Sequence, residues 1–348
     1  MVDKFGNSIE NIAKQSILDL RKRVNQGIDE KAKIDAITQY PLTPNEAFLI
    51  SERSRFPILK LKNTLLTLTD LELNKHQVGK LTYKEGVLIF QDVQGAKPCR
   101  EYPVSSYEQG CIEMYETPRK DNDNTIINNR YVIGVDPYKY DVAKTNSSNN
   151  SLGCILVFDR LTRRVVCEYT GRPEKTDEFY ELVRRLCLYY NATCMYESNI
   201  TNLYQYFDNK RCLHLLADTP HSLRDRNVWK AGTNFSKGIM ANKQVNEKGL
   251  EFVENYLLEK QSEESDELMC ERLRSVGLIK ELILWSPDLN TDRISALTMA
   301  LWYDVSLSDV MVSDEVRQRQ KNKYGTFFNK FKKNSLNDEI MEKILNRN

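Results

Sequence analysis

The chain has no excess of charge of either sign, no long apolar run and few histidines. Its 348 residues include 50 basic and 49 acidic side chains, so any contact with nucleic acid must use local basic patches rather than the charge of the whole molecule. No apolar stretch approaches the ~20 residues that a membrane span requires. The first residues also lack the pattern of a signal peptide. These absences predict a protein without a membrane segment, while 41% apolar residues are enough for a real core.

Cysteine and histidine are present in a pattern that argues against structural zinc. The eight cysteines include no CxxC pair, and His76, His214 and His221 do not combine with a cysteine at zinc-site spacing. Several cysteines lie in apolar runs, where cysteine behaves as a small hydrophobic residue. We therefore expect reduced thiols in an intracellular protein.

Three acidic residues in three separate contexts are the most informative feature present. Asp136 ends the apolar run 131–136, Glu197 ends the run 192–197, and Asp292 opens the helical run 292–301. A carboxylate at the end of an apolar strand lies at the rim of a sheet, where open α/β sheets place their ligands. Brought together, three carboxylates would form a hard oxygen site suited to Mg²⁺ or Mn²⁺. Such a site is the minimum equipment for metal-assisted cleavage of a phosphodiester.

The order of elements predicts an α/β fold of the RNase H-like kind. Strands at 131–136, 153–158 and 164–169 are expected to be antiparallel. Five elements follow: an amphipathic helix, a fourth strand that ends at Glu197, a helix near 200–207, a short strand at 213–217 and a long helix from about 250. A short strand at 282–285 precedes the helix that begins at Asp292. This order indicates a mixed sheet, with three antiparallel strands and then parallel strands, flanked by helices.

Before residue 131 the pattern is mixed. A polar helix is expected within 8–39, a hairpin at 81–90, a strand at 111–115 and a polar linker at 117–130. The acidic run 259–271 is expected to be a solvated helix face.

Five segments resemble the large subunit of the tailed-phage DNA-packaging terminase, specifically its C-terminal nuclease domain. They are Tyr40–Phe48, Gly110–Pro118, Gly134–Pro137, Tyr196–Asn199 and Asn290–Ala296. The resemblance extends over roughly residues 35–305 and implies Asp136, Glu197 and Asp292 as ligands for two divalent ions, with Asp136 bridging them. The ions would lie ~3.5–4 Å apart and bridge the scissile phosphate.

The resemblance also implies the organisation and the partners of the chain. Residues 1–120 would be a linker or attachment region that follows an absent ATPase domain, because no phosphate-cradling GxxxxGK[ST] motif occurs in the sequence. Residues 121–310 would be the nuclease domain and 311–348 a basic tail. The substrate would be double-stranded DNA in the host cytoplasm, and the partners would be the ATPase segment, the small terminase subunit and the portal.

Two basic segments are candidates for binding. In the first, Arg224, Arg226, Lys230 and Lys237 are interleaved with Trp229 and Phe235, which fits a DNA-contacting flap. A solvated loop is the alternative. The second, 317–333, carries seven basic residues and no acid, and it could grip phosphates, dock on the portal or be a disordered tail.

Each acid alone also has an ordinary structural explanation. Asp136 could cap a turn, Glu197 could stabilise the start of the next helix, and Asp292 could be a common N-terminal helix acid. Asp288 is a possible substitute for Asp292, Asp141 could support Asp136, and Asp304 is expected to face solvent or a basic partner. Some terminases carry a further acid where this chain has Asn149–Ser151, and Asn150 could hydrogen-bond a metal-bound water there.

Two other functions fit the same pattern. The chain could be another RNase H-like nuclease, such as a resolvase or transposase relative. It could also be a packaging adaptor that keeps the fold without the chemistry.

Overall fold

The computed structural model describes residues 10–25, 36–37, 39–42, 55–70, 76–102, 109–138, 151–200, 202–224, 237–262 and 264–307. The main strands are β1 (Gln77–Lys84), β2 (Val87–Asp92), β3 (Ile112–Met114), β4 (Tyr131–Asp136), β5 (Gly153–Asp159), β6 (Arg164–Gly171) and β7 (Thr193–Tyr196). A small hairpin consists of β8 (Lys260–Ser262) and β9 (Ser265–Leu268). The helices are α1 (Glu10–Asn25), α2 (Ile58–Asp70), α3 (Thr176–Tyr190), α4 (Asn202–Asn209), α5 (His221–Arg224), α6 (Lys243–Leu258), α7 (Val276–Leu284) and α8 (Asp292–Ser306).

Seven strands form one mixed sheet in the order β2-β1-β3-β6-β5-β4-β7. β4, β5 and β6 are antiparallel neighbours, and β7 lies parallel to β4 on its other side. This arrangement confirms the predicted α/β fold with its RNase H-like mixed sheet. Three antiparallel strands are followed by a helix and then by a strand parallel to the first.

The sheet is covered by helices on both faces, which explains the nearly continuous apolar sequence of its central strands. Every residue of β5 is buried, as expected for a strand packed on both sides. One face packs against α3 and α4 through residues such as Ile133 and Phe179. The other face packs against α2, α6, α7 and α8 through residues such as Val132 and Leu297. The candidate site lies on this second face, at the end of β4.

Three local predictions are corrected by the structure. Residues 282–284 of the expected strand 282–285 belong to helix α7, whose apolar residues repeat with helical spacing, and Trp285 is the C-cap of that helix. The acidic run 259–271 is not a helix face, because it forms the β8–β9 hairpin and a short 3₁₀ helix. The expected strand 213–217 is a 3₁₀ helix followed by a single parallel bridge between Leu216 and Cys194.

The elements before residue 131 join the same sheet. The predicted hairpin is β1–β2, and β3 connects it to β6. The sheet therefore continues across position 120, while the division of the chain into 1–120, 121–310 and 311–348 stays a prediction. Among the described helices, none is long and apolar enough to cross a membrane.

Candidate active site

Asp136 and Glu197 are placed side by side by the parallel pairing of β4 and β7. Val135 lies opposite Tyr196, and the Glu197 amide donates to the Val135 carbonyl at 3.3 Å. The next residue on each strand is therefore one of the two acids. Neighbouring strands lie about 4.8 Å apart, and side chains alternate between the faces of a sheet. Since Val132 and Met195 both pack toward the α8 face, Asp136 and Glu197 point to that face as well.

Helix α8 approaches β4 closely because residue 134 is glycine. A Cβ at Gly134 would lie 1.9 Å from the Ala296 carbonyl oxygen and 2.5 Å from the Ala300 amide nitrogen. The absence of a side chain thus allows backbone contact between strand and helix. This contact brings the first turn of α8 over the end of β4, where the Ser295 side chain lies near the Asp136 carboxylate and acts to lower its pKa.

Asp292 is the first residue of α8, and three protein groups fix its carboxylate. Oδ1 accepts from the Ser151 hydroxyl at 2.9 Å and from the Asn290 side-chain amide at 3.0 Å, and Oδ2 accepts from the Leu152 backbone N–H at 3.0 Å. An ionised carboxylate has about four acceptor positions, two on each oxygen. One position therefore remains, on Oδ2.

Asp136 is perturbed electrostatically by the acids around it. Burial raises the pKa of Asp136 well above its ordinary value, and the carboxylates of Asp292, Glu197 and Glu281 raise it further. Burial also raises the pKa of Asp292, against the hydrogen bonds from Leu152, Ser151 and Asn290. Like charges held together in this way disfavour the ionised forms, and a bound cation would relieve the repulsion.

The donor set fits a divalent cation in its chemistry. Two adjacent carboxylates at a sheet end and the remaining acceptor position on Asp292 are hard oxygen ligands of the kind that Mg²⁺ and Mn²⁺ bind. Within the residues that the structure describes, however, no group of three or more His, Cys, Asp or Glu side chains is arranged closely enough to hold a metal ion. The acids are neighbours rather than a closed cage.

A buried ionic cluster around Arg293 stabilises the start of α8. Arg293 pairs with Glu168 at 2.7 Å and with Glu281 at 3.4 Å, and it also donates to the Cys99 carbonyl. Gly277 makes room for this arginine, because a Cβ there would lie 2.5 Å from the guanidinium. Sequence reasoning missed Glu281, although it is the single acid in the apolar segment Val276–Leu284.

The predicted DNA-binding residues and the additional acids lie elsewhere in the chain. Lys237 lies 2.8 Å from Asp218 and donates to the Leu216 carbonyl at 2.9 Å, so its charge is balanced within the protein. Arg224 is the last residue of α5. Arg226, Lys230, Asp141, Asn150 and the basic tail lie outside the described residues. Asp288 is exposed.

No protein-family model and no curated protein matches the sequence. Among solved structures, the chain is similar to the large terminase nuclease from thermophilic phage G20c, with 14% identity and a TM-score of 0.35 over 56% of this chain and 89% of that one. The zinc-bound structure of that nuclease gives 12% identity and a TM-score of 0.34 with the same coverage. Similarity at this level does not establish a shared family.

Proposed function

We propose that this chain is a metal-dependent endonuclease that cuts double-stranded viral DNA during genome packaging, as the nuclease part of a terminase large subunit. The observation that supports the proposal is that the pKa of Asp136, at the end of β4, is raised by burial and then by the nearby carboxylates of Asp292, Glu197 and Glu281. One of the three proposed acids comes from a strand, one from the neighbouring strand and one from a helix, and perturbed carboxylates are concentrated at functional sites.

Two Mg²⁺ or Mn²⁺ ions would be held by these acids. Asp136 lies next to Glu197 and under the first turn of α8, so it is our choice for the ligand shared by both ions. Glu197 would serve one ion and Asp292, through Oδ2, the other. Such ions supply a water of lowered pKa for attack on the phosphate and stabilise the departing oxygen.

The other side chains at the site orient these carboxylates. Ser151 and Asn290 fix Oδ1 of Asp292, and the Ser295 side chain acts to lower the pKa of Asp136. The Arg172 guanidinium donates to the Ser151 carbonyl at 2.7 Å, which holds the backbone that carries this hydroxyl. Oriented ligands reduce the reorganisation that catalysis requires.

The test is cleavage of supercoiled plasmid in Mn²⁺, Mg²⁺ or EDTA by wild type and by Asp136→Asn. We expect nicking and linearisation that depend on the metal and fall at least about 100-fold in the variant, which is the scale on which single electrostatic groups act in catalysis. Asp288→Asn is a matched control, since it makes the same chemical change on an exposed acid four residues before Asp292. It should cut as wild type does.

Other outcomes separate the alternatives. Cleavage restricted to four-way junctions by a dimer would favour a resolvase-like nuclease. DNA binding without Mn²⁺ uptake or cleavage would favour a packaging adaptor and contradict the proposal.

A further inference from the structure

Helix α8 lacks the usual cap at its N-terminus. Thr291 occupies the cap position, but its side chain makes no capping hydrogen bond. The N–H of the third helical residue, Ile294, would normally bond to such a side chain. In this protein it donates instead to Oε1 of Glu281, at 2.8 Å, from the neighbouring helix α7.

Glu281 is an unusual residue to find at this place. Its side chain is only 1% exposed and belongs to a helix that is otherwise almost entirely apolar. A buried carboxylate costs free energy that an apolar residue of similar size would avoid. Arg293 does not depend on it alone, because the closer partner of that arginine is Glu168 at 2.7 Å. The contact that only Glu281 supplies is the one with the Ile294 N–H.

This contact bears directly on Asp292. Asp292 is two residues before Ile294 in the first turn of α8, so the direction of its carboxylate depends on how that turn is held. Ser151, Leu152 and Asn290 fix the carboxylate from the side of β5 and of the preceding loop. Glu281 fixes the backbone of the turn from the side of α7. Together they leave the last acceptor position of Oδ2 in one defined direction.

We propose that Glu281 is a positioning residue for Asp292, acting as a remote cap that sets the first turn of α8. The role rests on the proposed function, because its purpose is to aim a metal ligand. Metal ligands that lose such supporting contacts typically lose about 10- to 100-fold in affinity.

Two substitutions separate this role from a mere balance of buried charge. Glu281→Gln keeps the length and one acceptor oxygen for Ile294, while Glu281→Asp keeps the charge but withdraws the oxygen by about one bond length along the chain. We expect Glu281→Gln to bind Mn²⁺ within about threefold of wild type. We expect Glu281→Asp to bind it about tenfold or more weakly, with a matching fall in single-turnover cleavage. Mn²⁺ titration calorimetry and a plasmid assay measure these quantities.

Ser275→Ala is the matched control for general loss of helix capping. The Ser275 hydroxyl is equally buried and caps α7 through the Leu278 N–H at 2.9 Å. Its loss should lower the stability without changing Mn²⁺ affinity. Equal loss of affinity in Ser275→Ala and Glu281→Asp would overturn the positioning role.

The remaining outcomes are also decisive. Wild-type affinity in Glu281→Asp would overturn the role, and so would weak binding in Glu281→Gln. If Glu281→Asp does not fold, the test uses hydrogen exchange of the Ile294 amide in Glu281→Gln. The positioning role requires that the protection of this amide and the Mn²⁺ affinity are either both kept or both lost. Wild-type protein that binds no Mn²⁺ would overturn the proposed function itself, and this role with it.

Discussion

Asp304 belongs to helix α8, and Asp136 on β4 lies against the first turn of the same helix. The surroundings of these two carboxylates shift their pKa values in opposite directions. Burial favours the neutral form of both. Asp304 at the end of α8 is held by Arg163 and Arg160, whose charges overcome burial and lower its pKa. Asp136 at the start of α8 has acids for neighbours, and its pKa is raised. The contrast separates a carboxylate used for structure from one available for a cation.

Replacement of Asp304 by Asn should destabilise the protein strongly. Arg160 would keep the carbonyls of Asn129 and Leu307 as acceptors, and Arg163 would keep Glu259 at 3.3 Å, but both guanidinium groups would lose the Asp304 carboxylate that they share. Breaking a buried ion pair in this way costs about 3–5 kcal/mol. Urea unfolding measures the loss, and a change below about 1 kcal/mol would contradict the structural role. Asp288→Asn, at an exposed position, should stay within about 0.5 kcal/mol of wild type.

The sequence led us to propose the three acids, but it did not indicate the residues that hold them in place. Asp136 and Glu197 were proposed because each ends an apolar run, and Asp292 because it opens a helical run. Glu281 was not visible, because its importance lies in a hydrogen bond to a residue 13 positions away on another helix. The role of Ser151 likewise depends on a contact that spans 141 residues. Pairings of this range are set by tertiary packing, which periodicity does not encode.

At the level of elements, the contact between β4 and α8 depends on Gly134. In Gly134→Ala the new Cβ would meet backbone atoms of Ala296 and Ala300, which cannot rotate away as a side chain can. The helix would have to shift, and overpacking of this kind typically costs about 1–3 kcal/mol. The shift would also separate Ser295 from Asp136, so we expect Mn²⁺ binding to weaken more than the loss of stability alone explains.

Thermal unfolding and Mn²⁺ titration of the same sample test this expectation. Gly249→Ala is a suitable control, because its Cβ would meet a Thr298 methyl group at 2.1 Å, on α8 but away from Asp136. It should be destabilising while the metal affinity of the folded protein is kept. Wild-type affinity in Gly134→Ala would show that the close approach is needed for packing alone.

Elements were predicted well where the pattern was long and poorly where it was short. The strands β4, β5 and β6 and the helix at Asp292 were recognised from extended apolar runs. The four residues 282–285 were taken for a strand because a short apolar run has no clear period, and they are the last three residues of α7 and its C-cap. The acidic segment 259–271 has polar residues on both faces of its hairpin, so alternation gave no signal.

At the scale of the whole molecule, the segment before β3 contributes to the site although its sequence gave no reason to expect this. The Cys99 carbonyl accepts from Arg293, and the Tyr102 hydroxyl donates to the Asn290 carbonyl at 2.9 Å. Both contacts brace the chain on either side of Asp292. Asp292 is therefore supported by the two residues just before β5, by α7 and by residues from the first third of the chain.

The clustering of acids also makes a prediction about the stability of the whole protein. Where a carboxyl pKa is raised by folding, the folded state binds more protons than the unfolded state, so stability falls as pH rises between the two pKa values. Asp136 and Asp292 act in this direction. Glu281 does so from its ordinary value of 4.5 up to about 8, chiefly because of burial. Asp304, whose pKa is lowered, contributes stability that is lost only on acidification.

In EDTA, the free energy of unfolding should therefore fall from pH 5 to pH 8. Asp136→Asn removes one titrating group and its repulsion of Asp292 and Glu197, so its slope should be shallower. At pH 8 the variant should be more stable than wild type by about 1 kcal/mol, within the range of single stabilising changes at functional sites. Urea unfolding at several pH values measures both quantities, with Asp288→Asn expected to follow wild type. If the variant is less stable than wild type at pH 8, favourable contacts stabilise the Asp136 carboxylate. That result would contradict the expectation that repulsion between the carboxylates destabilises the folded protein.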